Sequence, residues 1–190
     1  MLLSTQGNTR TIALQRLYQL EQRFKKNPKL KNDYATVMKD YESNYMEEVP
    51  RHEMNNPSIY LPHHAVVKEE KETTKIRTVF DASQRGTNNI SLNDELLVGP
   101  QLQGDMRSLI MRWRMKRICF VVDMQKMYPQ IMVTKEDRDL QRVLWRYDPV
   151  KDYRLTRVTF GTASAPYLAV RTLHQVAHDE GQNYPNAAKI

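Results

Sequence analysis

Ile118-Cys119-Phe120-Val121-Val122-Asp123 is followed, five residues on, by Tyr128 and then by Ile131-Met132-Val133. An apolar run ending in one carboxylate, then a turn, then an apolar return predicts a strand over residues 118–122. That strand would aim Asp123 and Tyr128 out of a sheet. A carboxylate beside a buried strand is costly unless it is paired or binds a metal, so Asp123 is the first candidate functional residue. Aspartate in a turn also bonds its own backbone. On these residues alone that is the commoner role, and both readings stand.

On the C-terminal side, residues 135–141 predict a short helix, and residues 143–147 and 153–159 a strand pair joined through Asp148-Pro149. Residues 161–166 form a small-residue turn. Pro166 then suits the start of a helix, where amides lack intrahelical acceptors, and Ser164 is placed to cap it. Ala169, Leu173 and Ala177 mark one side of that helix.

On the N-terminal side, Leu102, Met106, Leu109, Ile110 and Trp113 predict a helix with one apolar face, and Arg112, Arg114, Lys116 and Arg117 gather at its end. Those cations suit the helix dipole or a nucleic-acid backbone. Trp113 and Trp145 read as core residues. Residues 60–67 and 75–80 predict two strands joined by a charged turn over 68–74, and residues 81–92 are loop chemistry. Further upstream, Ala13, Leu17, Leu20 and Phe24 form one helical stripe, and Leu30, Tyr34, Val37, Tyr41 and Tyr45 a second, with Pro28 between them. These predict a helical hairpin, followed by an irregular connector over residues 50–57. Strands mixed with helices without strict alternation predict an α+β fold.

The bulk composition narrows the function classes. The 190 residues carry a formal net charge of +7, which favours a polyanionic partner. Cys119 is the single cysteine, so no intrachain disulfide forms and a reducing compartment fits. No stretch reaches the roughly 20 apolar residues of a membrane span, and the N-terminus lacks signal-peptide character. An intracellular protein without a membrane partner is expected.

Five segments, in order and at fitting spacing, carry a resemblance: residues 60–65 (YLPHHA), 75–83 (KIRTVFDAS), 91–99 (SLNDELLVG), 123–130 (DMQKMYPQ) and 159–166 (TFGTASAP). Together they resemble the reverse transcriptase of BEL/Pao-type LTR retrotransposons, over roughly residues 10–190. The resemblance implies an incomplete right-hand polymerase fold. Residues 1–56 would be an N-terminal helical segment, and residues 57–190 the fingers and part of the palm. In such enzymes an aromatic-x-Asp-Asp hairpin follows shortly after the last segment. The chain contains no Asp-Asp pair.

The resemblance also implies roles. Asp123 would be a catalytic metal ligand, with the backbone carbonyl of Met124 a second oxygen donor to Mg²⁺ or Mn²⁺. Tyr128 would exclude a 2′-hydroxyl by the bulk of its ring; otherwise it is one tyrosine among ten. Lys75 and Arg77, on one strand face, would clamp the triphosphate of a deoxynucleotide, unless they are simply a solvated strand face. Phe160 stands where many reverse transcriptases have glutamine, which leaves stacking in place of a hydrogen bond. Gly161 would allow backbone to approach the nucleotide. The partners would be an RNA or DNA template-primer and a deoxynucleoside triphosphate, and the location the cytoplasm, a virus-like particle or the nucleus.

Two further readings stand beside a polymerase fragment that is inactive alone: a nucleic-acid-binding remnant without catalysis, and a non-functional relic. Elsewhere, His174 and His178 are four apart on a predicted helix but have no third ligand in view. His63 and His64 read as packing or backbone-bonding residues.

Overall fold

The computed structural model describes residues 7–67, 76–146 and 149–185. The two N-terminal stripes form helices α1 (Arg10–Lys26) and α2 (Pro28–Asn44). Ala13, Leu17, Leu20 and Phe24 are buried along α1, and Leu30, Tyr34 and Met38 along α2. Asn27 ends one helix and starts the other. Its backbone N–H donates to the carbonyls of Arg23 and Phe24, and its side chain accepts from the Leu30 amide at 3.0 Å. Pro28 occupies the first helical turn, where its missing N–H costs nothing.

Both helices pack on two small antiparallel sheets. Strands β1 (Met46–Glu48), β4 (Arg142–Arg146) and β5 (Val150–Leu155) form one sheet in the order β1-β5-β4. Strands β2 (His63–Val67) and β3 (Ile76–Phe80) form the other, in a register that pairs His63 with Phe80 and Val66 with Arg77. The chain just before β2 joins the two sheets: the Leu61 N–H donates to the Arg142 carbonyl, and the Arg142 N–H to the Ile59 carbonyl, each at 2.8 Å. Helices and sheets share one apolar core that includes Leu17, Phe24, Met38, Phe80, Leu144 and Trp145. The protein is therefore of α+β class. Among the described residues no helix is long and apolar enough to cross a membrane.

At the centre of this core lies His63. Its Nε2–H donates to the Leu144 carbonyl at 2.8 Å. A carbonyl can only accept, so Nδ1 is the bare nitrogen and accepts from the Tyr34 hydroxyl at 2.6 Å. The rings of Tyr34, Phe80 and Trp145 surround it. One imidazole thus links α2, β2 and β4, in the packing and backbone-bonding role expected of it. Burial, only partly opposed by the Leu144 hydrogen bond, pushes its pKa down to about 4.

A buried ionic hub stands on the other side of the sheet. Arg142 is fully enclosed. Its guanidinium donates to the Asp139 carboxylate at 2.9 Å and to the carbonyls of Glu53 and Met54 at 2.7 and 3.1 Å. It also donates to the Tyr60 hydroxyl at 3.3 Å. That hydroxyl donates in turn to Asp152, which Arg10 holds with two hydrogen bonds of 2.8 and 2.9 Å. Arg154 adds Glu47 at 2.6 Å and Glu53 to the same network. Burial alone would raise the Asp139 and Asp152 carboxyls, but their arginine partners hold both below the usual carboxylate range.

The middle of the chain departs from the expectation. Residues 118–122 are not a strand: Ile118, Phe120, Val121 and Val122 are 78–85% exposed. Among the described residues, β5 pairs along one edge of β4, and residues 59–61 meet its other edge at Arg142. Residues 118–122 take part in no strand pairing or bridge among the described residues. The preceding helix α4 (Met106–Arg114), which follows the short α3 (Leu92–Glu95), buries no residue. Trp113, expected in the core, is 44% exposed, whereas Trp145 is buried as expected.

The apolar return is paired. The Val133 N–H donates to the Thr156 carbonyl, and the Val158 N–H to the Ile131 carbonyl, so it pairs with the residues just beyond β5. Residues 135–141 form a 3₁₀ rather than an α-helix. The last helix, α5 (Ala165–Glu180), has proline in its first turn, but Ser164 makes no side-chain cap. Its φ of −80° and ψ of −16° are helical. A capping side chain needs extended backbone to reach back to the first amides.

Candidate functional site

A cleft of about 1730 Å³ opens between α2, β3, the loop over residues 122–129 and the first turns of α5. Ligand pockets for small molecules are usually about 300–1,000 Å³, so this one has room for an extended ligand. Arg77, Asp123, Met124, Tyr128 and Phe160 all line it. They come from three segments far apart in the sequence and meet at one surface. Lys75 and the charged turn over 68–74 lie outside the described residues.

Arg77 reaches the cleft because β3 alternates: Thr78 and Phe80 face the core, while Arg77 is exposed. The Asp123 carboxylate is exposed and has no hydrogen bond or ion pair among the described residues, so it does not cap a turn with them. Tyr128 opens the 3₁₀ turn Tyr128–Gln130, in which Pro129 is buried. Its ring packs on that of Phe160, with centroids 4.6 Å apart and planes tilted by 51°. An offset, tilted pair of this kind is a favourable aromatic geometry. Phe160 therefore packs against the residue expected to gate the sugar.

Gly161 does not line the cleft. Its φ is +109°, and a Cβ there would sit 2.2 Å from the Phe80 carbonyl oxygen. The close approach that requires glycine is thus to the end of β3. The Asn93 side chain clamps the same turn, donating to the Gly161 carbonyl and accepting from the Ala163 N–H, both at 2.8 Å. Asn93 is held in α3 by a capping box in which Ser91 and Asp94 satisfy each other's amides. Gly161→Ala is expected to lower stability by about 2 kcal/mol, from the left-handed φ and the backbone clash together. Urea melts of wild type and variant check this, and an unchanged midpoint would refute it.

Sequence reasoning missed Lys126, Asp40, Tyr45 and Asn93. Lys126 has a φ of +52°. Its ammonium lies 2.8 Å from Asp40 and 3.4 Å from the Tyr45 hydroxyl, and 5.2 Å from the Tyr45 ring centre. The hydrogen bond to Asp40 holds the Lys126 pKa above its ordinary range. Asp40 looks like any solvated position on the polar face of α2, so only the folded chain reveals the pairing.

The donor set does not fit a two-ion metal centre. Asp40 and Asp123 line the cleft, but Asp40 is engaged by Lys126. Among the described residues no group of three His, Cys, Asp or Glu stands close enough to hold a metal ion, His174 and His178 included. In the comparisons with known proteins, the sequence matches no family model and no curated protein.

Proposed function

We propose that the chain derives from a reverse transcriptase, the fingers and part of the palm of a right-hand polymerase fold. In this reading its cleft binds a deoxynucleoside triphosphate or the end of a template-primer, without polymerising on its own. The observation that carries the reading is the convergence of Arg77, Asp123, Tyr128 and Phe160 on one cleft, from segments that also bear the resemblance. Arg77 offers a planar, permanently charged donor to a phosphate. The Tyr128–Phe160 pair offers an apolar wall to a sugar or base. The net charge of +7 favours the same class of ligand. Binding without chemistry is the form of the proposal favoured by Asp123, which has no partner among the described residues.

Binding of dTTP and of a primed RNA–DNA duplex to the full chain, followed across salt concentrations, tests this. Salt-sensitive binding that weakens about tenfold in Arg77→Ala is expected, the loss of one charge-assisted contact. No binding of either ligand at low salt would sink the proposal. Primer extension with Mg²⁺ that vanishes in Asp123→Asn would overturn its non-catalytic part.

A further inference from the structure

We propose that Lys126 is a positioning residue, tied to Asp40 and Tyr45 of the N-terminal helical segment, that sets the Asp123–Tyr128 loop across the cleft from Arg77. The ligand half of this inference rests on the reading of the cleft as a nucleotide site; the positional half does not.

Three observations converge on it. The tie is double, an ion pair to Asp40 at 2.8 Å and a contact over the Tyr45 ring at 5.2 Å. Lys126 holds a φ of +52°, uncommon for a residue with a side chain and kept only where surrounding contacts fix it. The loop around it is otherwise thinly held: Asp123 has no partner among the described residues and Val122 is 84% exposed. On the C-terminal side, Tyr128 is fixed by Phe160 and Pro129 is buried. Lys126 therefore supplies the hold on the stretch that carries Asp123.

The magnitude decides what such a tie can do. The two side chains are 45% and 41% exposed. A half-exposed pair contributes too little to govern global stability. It is enough to change how often one loop opens, because local openings have far smaller free energies than global unfolding. The effect belongs in the loop and leaves the core untouched.

Two measurements on the full chain separate the outcomes. The first is amide exchange without ligand at Gln130, whose N–H donates to the carbonyl of Met127, the residue after Lys126. In Asp40→Asn and Lys126→Met this amide should exchange about three to five times faster, with β4 and β5 unchanged. The charge-swapped pair Asp40→Lys with Lys126→Asp should return to within about twofold of wild type, since aspartate tolerates the left-handed backbone. Unchanged exchange in both single variants, or no recovery in the swap, overturns the positioning role.

The second is dTTP affinity. Both single variants should weaken it about three- to fivefold, and the swap should restore it, if the tie acts only by placing the loop. Tighter binding in Asp40→Asn with weaker binding in Lys126→Met would make Lys126 itself the anion ligand and overturn the proposal. If wild type binds no dTTP, the nucleotide reading fails, and the exchange result alone decides the positioning.

Discussion

Arg142→Met is expected to lose about 3–5 kcal/mol of stability, the usual consequence of removing one partner from a buried ionic network. The methionine fills much of the volume but satisfies none of the acceptors. The Met54 carbonyl loses its side-chain donor, the Glu53 carbonyl keeps the Asn56 N–H, and Asp139 keeps Arg154 and Asn56, each at 3.5 Å. For a chain of this size the loss lowers the melting temperature by roughly 6–20 °C. Arg142→Lys should fall in between, because an ammonium retains the charge but lacks the fork that reaches four partners at once. Thermal melts of the three proteins at neutral pH check the ranking. A methionine variant that melts with wild type would show that the network is neutral.

The second large effect is acid lability from His63. Its folded pKa of about 4 lies below the ordinary value of 6.5. The unfolded chain therefore takes up a proton at a pH where the folded chain does not. The stability that depends on a neutral His63 is complete above about pH 6.5, drains as the pH falls, and is fully lost below about pH 4. A gap of about 2.5 pKa units corresponds to about 3 kcal/mol. The carboxyls of Asp139 and Asp152, held low by their arginines, add their own loss only at lower pH. Denaturant melts at steps from pH 7.5 to 4 should show the decline in wild type. His63→Gln should start less stable and stay nearly flat down to pH 4.5. A wild-type curve that is flat between pH 6.5 and 4.5 would exclude the effect.

The two N-terminal helices are legible in the sequence because each buries one face against one core, so the period of Leu17, Leu20 and Phe24 survives intact. The β2–β3 pair is legible for the same reason at period two. The apolar run over residues 118–122 misleads, because apolar character records a need for cover, whereas a strand also requires neighbours on its edges. The same gap explains Trp113, whose helix shows a clear apolar face but buries none of its residues. Arg142 is hidden for the opposite reason. An arginine at a strand start reads as surface, and its burial depends on carbonyls about ninety residues away in sequence. The cleft was legible only through the resemblance, since no local period links Arg77, Asp123, Tyr128 and Phe160. Its Lys126 tie was not legible at all.

The bare run over residues 118–122 has one more consequence. It is short, β-favouring and uncharged, the type of segment that seeds intermolecular cross-β stacking when it stands in the open. Arg117 and Asp123 bracket it, as charged gatekeepers bracket such segments elsewhere. A carboxylate at that end of the run opposes stacking of copies whatever the ligand, by the logic of such gatekeepers. For a chain with such a segment in the open, losses in solution are expected to climb with concentration, as encounters between copies do, and not only with the weakness of the core.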